Sequence, residues 1–525
     1  MKRLTHILSF VLLTVLWASA QSPKNLSMLS SMTFTGQTLA GCWHYNSTSG
    51  NEYAIVGASN GLVIVDITNP TTPNLVLQTP GPNSLWHEVK VLGDYAYGVS
   101  EGVDPNNILN GLQIIDLRYL PDSAPTKFYQ GDGAILNQLT SAHTVTADGH
   151  YVYVNGHNIN ILGSGILILD VTDPWNPVYT GAITSNYCHD SYVRGDTLYS
   201  SEIYAGQFSI FDISDRSTPV LITSQSTPSL FNHNAWLSDN SQYLFVTDEK
   251  PNAPMTSYDV ADFSNITQLD TFYNGLFTSS EVHNVRVLND FVLCPSYGSQ
   301  LTLVDAAHPH NLIEVGNFTT GTSLCWDADP YTNSGNIIAT DMNSGVLYIL
   351  APTYTRACYL EGNVTDSLTG ISLNNVAVTL SSLSIVANTA PSGDYATGCA
   401  DSGTYVVSFS RTGYVTKTFS VNLQNGQQVT LDVQLLPIGA SVANISSLEN
   451  VVYPNPANGV LNITDNGSKW KKFSISNAIG QIIFEGDLIL VGHSGTIDIS
   501  KLPQGTYNLK LQNENGEQQT QFIKL

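Results

Sequence analysis

The sequence predicts an all-β chain: a seven-bladed β-propeller followed by two small β-sandwich (Ig-like) domains. Two observations carry that expectation. A short β-branched motif ending in aspartate recurs at nearly constant spacing, and beyond it the chain changes to a different alternation of strands and turns. Composition agrees: of 525 residues only 12% are charged, with 41 Gly and 26 Tyr, as suits short strands joined by tight turns. The 19 Lys+Arg against 42 Asp+Glu leave a formal charge of −23. That balance argues against a nucleic-acid partner, whose phosphates demand a basic surface, and against docking on anionic lipid.

The chain opens with Lys2 and Arg3, an apolar run from Ile7 to Trp17, and Ala18-Ser19-Ala20. These are the three regions of a secretory signal, so residues 1–20 are expected to be removed. No Cys follows that point to carry a lipid. No later stretch has the roughly 18 apolar residues of a spanning helix, so no transmembrane segment is expected.

Residues 22–355 hold the repeat: GLVIVDITNP (61–70), GLQIIDL (111–117), GILILDVTDP (165–174), QFSIFDISD (207–215), MTSYDV (255–260), QLTLVDAAHP (300–309) and GVLYIL (345–350). Its aspartates Asp66, Asp116, Asp170, Asp212, Asp259 and Asp305, with Leu350 in the seventh place, are 50, 54, 42, 47, 46 and 45 residues apart. Such a period is that of four-stranded propeller blades. The third repeat parses into strands at 143–147, 151–156, 165–171 and 177–183. The recurrent aspartates read as turn formers, because Asx side chains bond the backbone ahead of them. After 346–350 no outer strand remains, so residues 29–39 are expected to close the ring and remove two open sheet edges.

A second repeat stands at the start of each inner strand: Trp43-His44, Trp86-His87, Ala142-His143, Cys188-His189, Asn232-His233, Val282-His283 and Trp326-Asp327. Half of the 12 histidines thus share one structural position at a mouth of the central channel. Beside them, at the end of the second strands, come Glu101, His157, Glu202, Asp248 and Asp341, with Ser59 and Ser296 in the other blades. Two readings stand. Each His is a folding device, hydrogen-bonded inside its own blade interface. Alternatively the ring holds a transition-metal ion, with His87, His143, His189, His233, Glu101, Glu202 and Asp248 as the candidate ligands. Trp43, Trp86 and Trp326 are candidate ligand-binding residues, stacking on a sugar or another flat molecule, or else inter-blade packing. No nucleophile elbow, phosphate loop or His-Glu-x-x-His pattern occurs.

The repeats resemble the LVIVD family, and residues 22–355 resemble the choice-of-anchor B surface domains that contain it. The resemblance implies a cell-surface propeller without a settled activity. Residues 356–437 carry Gly362-x-Val364-x-Asp366, Thr369-Gly370, Gly403-x-Tyr405 and Gly413-Tyr414. They resemble the carboxypeptidase regulatory-like domain, a non-catalytic seven-stranded sandwich. Residues 438–450 form a small-residue linker. Residues 451–525, with Tyr453-Pro454-Asn455-Pro456, Leu502-Pro503-x-Gly505-x-Tyr507 and a basic end, resemble the type A C-terminal sorting domain of type IX secretion. That resemblance implies the type IX secretion machinery as a partner, and attachment to surface lipopolysaccharide or release.

An exported chain permits disulfides. Cys358–Cys399 is the preferred pair, Cys42–Cys325 a weaker one that would staple the ring closure, and Cys188 and Cys294 are expected to be free. Three functions remain open. One is a surface propeller binding an extracellular ligand, glycan or protein partner; the second is a metal-dependent hydrolase centred on the histidines; the third is a structural surface protein.

Overall fold

The structure, a computed structural model, describes residues 23–274, 280–298, 300–320, 324–438, 452–465, 467–514 and 516–525. The expected signal segment and most of the expected linker lie outside the described residues. The chain falls into two compact units, the first reaching to Leu435 and the second made chiefly of residues 436–525.

Seven antiparallel sheets fill the first unit up to Pro352, five of them built from four consecutive strands. Blade 1, for example, pairs Leu39–Asn46, Glu52–Ala58, Gly61–Asp66 and Asn74–Pro80 in that order. In blade 6 the inner strand is split into Glu281–Val282 and Arg286–Leu288, both paired to Phe291–Tyr297. The last blade takes Cys325–Asp329, Ile337–Asp341 and Val346–Pro352 from one end of the propeller and its outer strand from the other. That outer strand is Leu26–Thr33, starting three residues and ending six residues earlier than the sequence suggests, because Phe34 to Thr38 form the turn that leads into blade 1.

The blades hold together through seven apolar seams, one per gap. Between blades 1 and 2 the seam joins Tyr45, Tyr53, Ile55, Leu62 and Ile64 to Val89, Ala96, Ile115 and Leu117. The closing seam joins Leu39, Val56 and Val63 to Ile338, Leu347 and Ile349. Period-2 strands with both faces buried need such continuous apolar runs. The repeated aspartates act as read: Asp66, Asp116, Asp170, Asp212, Asp259 and Asp305 each accept from the backbone N–H two residues on, at 2.7–3.1 Å.

The sandwich after the propeller packs Asp394–Cys399, Cys358–Asp366 and the pieces Gln428–Thr430 and Val433–Leu435 against Ile385–Asn388, Ala377–Leu380, Gly403–Ser410 and Lys417–Leu423. It is fastened to blade 6. Asp305 accepts from Arg356 Nη1 and Ala357 N–H, both at 2.7 Å, and Asn311 Nδ2 donates to Thr397 O at 3.1 Å. The second unit is a smaller sandwich of three and four strands around Leu461, Ile463, Trp470, Ile475, Leu509 and Phe522. Among the described residues no helix is long and apolar enough to cross a membrane.

All six cysteines are free thiols. Cys358 and Cys399 stand directly opposite each other on neighbouring strands, so the expected pair is in register but unbridged. The weaker pair is separated: Cys42 packs in the seam of blades 7 and 1, and Cys325 in that of blades 6 and 7.

Candidate functional site

Strand register fixes which residues share a level in the channel. In blade 5, His233 bulges between the pairs Asn232↔Asp248 and Asn234↔Thr247. In blade 7, Trp326 holds the same place between Cys325↔Asp341 and Asp327↔Thr340. In blade 1 the irregularity lies between Leu39 and Cys42, which puts Ala40 at this level. The level therefore reads Ala40, His87, His143, His189, His233, His283 and Trp326. His44 and Asp327, aligned with the ring by sequence, lie deeper. His44 pairs its Nδ1 with Asp329 at 2.7 Å and stacks on Trp43.

Four imidazoles form a continuous file. Ring centroids are 4.0 Å apart for His143 and His189, 4.3 Å for His189 and His233, and 4.2 Å for His233 and His283. Trp326 continues the file 4.5 Å beyond His283. All four are buried, around a cavity of about 10 Å³, the room of one water or ion. The ends of the file are satisfied: His143 Nδ1 meets Glu101 Oε1 at 2.6 Å, and His283 Nδ1 meets Trp326 O at 2.6 Å. The middle is not. Nδ1 of both His189 and His233 is buried without a hydrogen bond of full geometry, and these rings meet only loosely the backbone of His233 and His283 respectively.

Glu249 stands over that middle. Its carboxylate is 3.7 Å from His233 Nε2 and 3.9 Å from His283 Nε2. One ligand atom each from His189, His233 and Glu249 lies within 4.8 Å of the others. Burial, then the neighbouring imidazoles, push the pKa of His189 and His233 well below the usual histidine value, and burial takes His283 down to about 3. These rings are neutral, the form that ligates metal. Burial raises Glu249 to about 7, whereas the bond from His143 holds Glu101 below the usual carboxylate range.

Other expected ligands are placed elsewhere. His87 does not line this cavity; it is buried beside Gly81, with only a loose contact to the Pro82 backbone. Glu202 accepts from Asn186 and Gln207 within its own blade, at 2.7 and 2.8 Å. Asp248 shapes a turn, accepting from Thr227 Oγ1, Ser229 N–H and Phe231 N–H. Glu249 was the residue missed. It lies six residues beyond Tyr243, as Glu101 does beyond Tyr95 and His157 beyond Tyr151, and that count is visible in the sequence.

One level below, polar groups close the channel. Arg286 Nη2 donates to Asp327 Oδ1 at 2.9 Å, Asn284 Nδ2 to the same oxygen at 3.1 Å, and Asn234 Nδ2 to Asp190 Oδ2 at 2.6 Å. Trp326 Nε1–H donates to Glu88 Oε1 at 2.8 Å. Lower still, Lys90 lies 4.4 Å over the Trp43 ring and Arg286 4.6 Å over Trp236. Trp43 is thus part of this lower plug. Trp86 and Trp326 remain together at the histidine level, packed with Ala40 and Met342.

The sequence families agree with this architecture. The chain carries LVIVD repeats. Their model matches residues 47–79 and 204–227, the carboxypeptidase regulatory-like domain matches 359–436, and the secretion system C-terminal sorting domain matches 451–525. The last implies secretion. No curated protein matches the chain. Among solved structures it is similar to the β-propeller domain of Myceliophteria thermophila Cps50 (Swd1), with 13% identity, 62% of this chain and 100% of that one covered, and a TM-score of 0.44. It is also similar to a "putative 6-phosphogluconolactonase" from Bacteroides fragilis, with 12% identity, 68% and 94% covered, and a TM-score of 0.44. The histidine file itself lies outside the residues matched as LVIVD repeats.

Proposed function

We propose that this chain is an exported surface propeller that holds a divalent transition-metal ion among His189, His233 and Glu249, with His143 and His283 at its flanks. One observation carries the reading: two buried, neutral imidazoles and the Glu249 carboxylate bring one ligand atom each within 4.8 Å of one another. A folding post needs its buried nitrogens paired. The flanking histidines meet that requirement with short hydrogen bonds, whereas His189 and His233 have only loose backbone contacts. Sugar stacking by Trp43, Trp86 and Trp326 has less support, since Trp43 sits in the lower plug and Trp326 is buried with its N–H on Glu88. In this reading the segment 1–20 and the sorting domain direct export through the type IX machinery, and the sorting domain leads to attachment to surface lipopolysaccharide or to release.

A metal-dependent hydrolase is the second reading, favoured by Glu249 at about 7, where a carboxylate serves as acid or base near neutral pH. The test uses chelator-stripped full chain equilibrated with Zn²⁺, Co²⁺, Cu²⁺ or Ni²⁺, with bound metal counted by mass spectrometry. Loss of one equivalent in His189→Ala/His233→Ala, with metal-free stability retained, supports the site. Unchanged binding overturns it.

A further inference from the structure

The turn after the third strand is built alike in blades 1, 3, 4 and 5. Its key residue is Asn69, Asp173, Asp215 or Asp262, and each accepts from the backbone N–H two residues on, at 3.3, 3.1, 2.9 and 2.9 Å. Blade 6 departs from this pattern: His308 stands at that place, followed by Pro309 and His310. The His308 Nδ1 faces Glu361 instead, at 3.4 Å. The backbone turn nevertheless persists, Asn311 N–H donating to His308 O at 2.8 Å as Thr72 N–H does to Asn69 O at 3.0 Å. The histidines therefore serve something other than the turn.

Blade 6 is the blade fastened to the sandwich, and what faces these histidines is Glu361 on the sandwich strand Cys358–Asp366. His308 Nδ1 is 3.4 Å from Glu361 Oε1, and His310 Nε2 is 3.2 Å from the same oxygen. Asn311 Nδ2 donates to it as well, at 3.0 Å. Three nitrogens converge on this one carboxylate, His310 Nε2 also reaching Oε2 at 3.3 Å, and the imidazole distances are longer than the roughly 2.7–2.9 Å of a charge-assisted hydrogen bond. The spacing suits something else. Ligand atoms about 2.0–2.1 Å from a tetrahedral zinc ion lie about 3.3–3.4 Å from one another. One ligand atom from each of the three residues lies within 4.8 Å of the others. The His308 ring is held by stacking on Tyr359, with centroids 4.0 Å apart.

We propose that His308, His310 and Glu361 form a second divalent-metal centre, of the zinc class, that clasps the sandwich to blade 6. Two imidazoles and one carboxylate are the donor set of open zinc sites, which keep water in the fourth position. Asn311 orients the carboxylate from outside the coordination sphere, as such partners do. His310 and Glu361 also line a groove of about 610 Å³ that carries Asp270, Asp394 and Asp432, an acidic approach that concentrates cations. An exposed His–Glu ion pair alone contributes little, so it does not account for two histidines converging on one carboxylate.

The experiment uses the chelator-stripped full chain, Zn²⁺ counted after equilibrium dialysis, and Co²⁺ absorption as the coordination signature. His308→Asn/His310→Thr writes the blade 1 turn Asn-Pro-Thr into blade 6, so it restores the Asx bond and keeps the fold. Glu361→Gln is the second variant. Each should lose one equivalent of Zn²⁺ and the tetrahedral Co²⁺ band, both of which His189→Ala/His233→Ala should retain. Wild-type stoichiometry in either junction variant overturns the inference. If only the mouth variant loses metal, the junction centre fails and the mouth reading stands; if only the junction variants lose it, the reverse holds.

Discussion

Arg286 of blade 6 donates to Asp327 of blade 7 at 2.9 Å, and both side chains are buried, at 2% and 0% exposure. The pair therefore works as an ionic clamp inside the channel, between two blades that also share an apolar seam. Removing one partner leaves a buried, uncompensated charge. Arg286→Met should lower unfolding free energy by about 3–5 kcal/mol in urea titrations. Arg286→Met with Asp327→Asn should recover much of that loss, because the stranded carboxylate goes too. Equal destabilisation by single and double variants would contradict the clamp.

Gly41 makes room for the Glu88 carboxylate. A Cβ at Gly41 would lie 2.2 Å from Glu88 Oε2, and Glu88 in turn receives the Trp326 indole N–H. Gly41→Ala should cost about 1–3 kcal/mol through overpacking and shift the Trp326 fluorescence as its hydrogen bond breaks. Gly50→Ala is the control for a loss of glycine, since no atom lies within 4 Å of a Cβ there, although its φ of +87° carries strain of its own.

The blades were readable because Asp66 and its five counterparts all cap the same turn, and a turn motif survives in sequence. The mouth was readable only in part, because strand irregularities shift register without changing composition. Ala40 takes the level that His44 was expected to hold, since the bulge of blade 1 lies between Leu39 and Cys42. Trp326 rather than Asp327 reaches the ring for the same reason. Asp248 and Glu249 differ by one residue, yet one shapes a turn and the other faces the imidazoles. A period-2 strand reverses a side chain's direction on a one-residue slip, and motif alignment does not see that slip.

His87 should make the fold acid-sensitive. Burial lowers its pKa to about 4, against about 6.5 for an imidazole in the unfolded chain. Between those values the unfolded chain takes a proton that the folded one refuses. Stability from this group is full above about pH 6.5, falls as pH drops, and has lost about 3 kcal/mol by pH 4. His87→Leu removes that term and gives up only a loose contact with the Pro82 backbone. The stability gap between pH 7.5 and pH 5 should shrink by about 2 kcal/mol relative to wild type. Parallel pH profiles of the two proteins would refute the assignment.

Glu249 should set the pH dependence of metal uptake at the mouth. Its carboxyl is held at about 7 by burial, and a metal ion requires the ionised form. His189 and His233 are already neutral well below that pH, so they release no proton on binding there. Affinity at the mouth should therefore rise about tenfold per pH unit up to about pH 7 and level off above it. Measured in the His308→Asn/His310→Thr background, which leaves the mouth as the metal site under test, Glu249→Gln should flatten that slope. It should also lower the plateau at least about tenfold. If the slope survives in Glu249→Gln, another group supplies the proton and the carboxylate does not ligate.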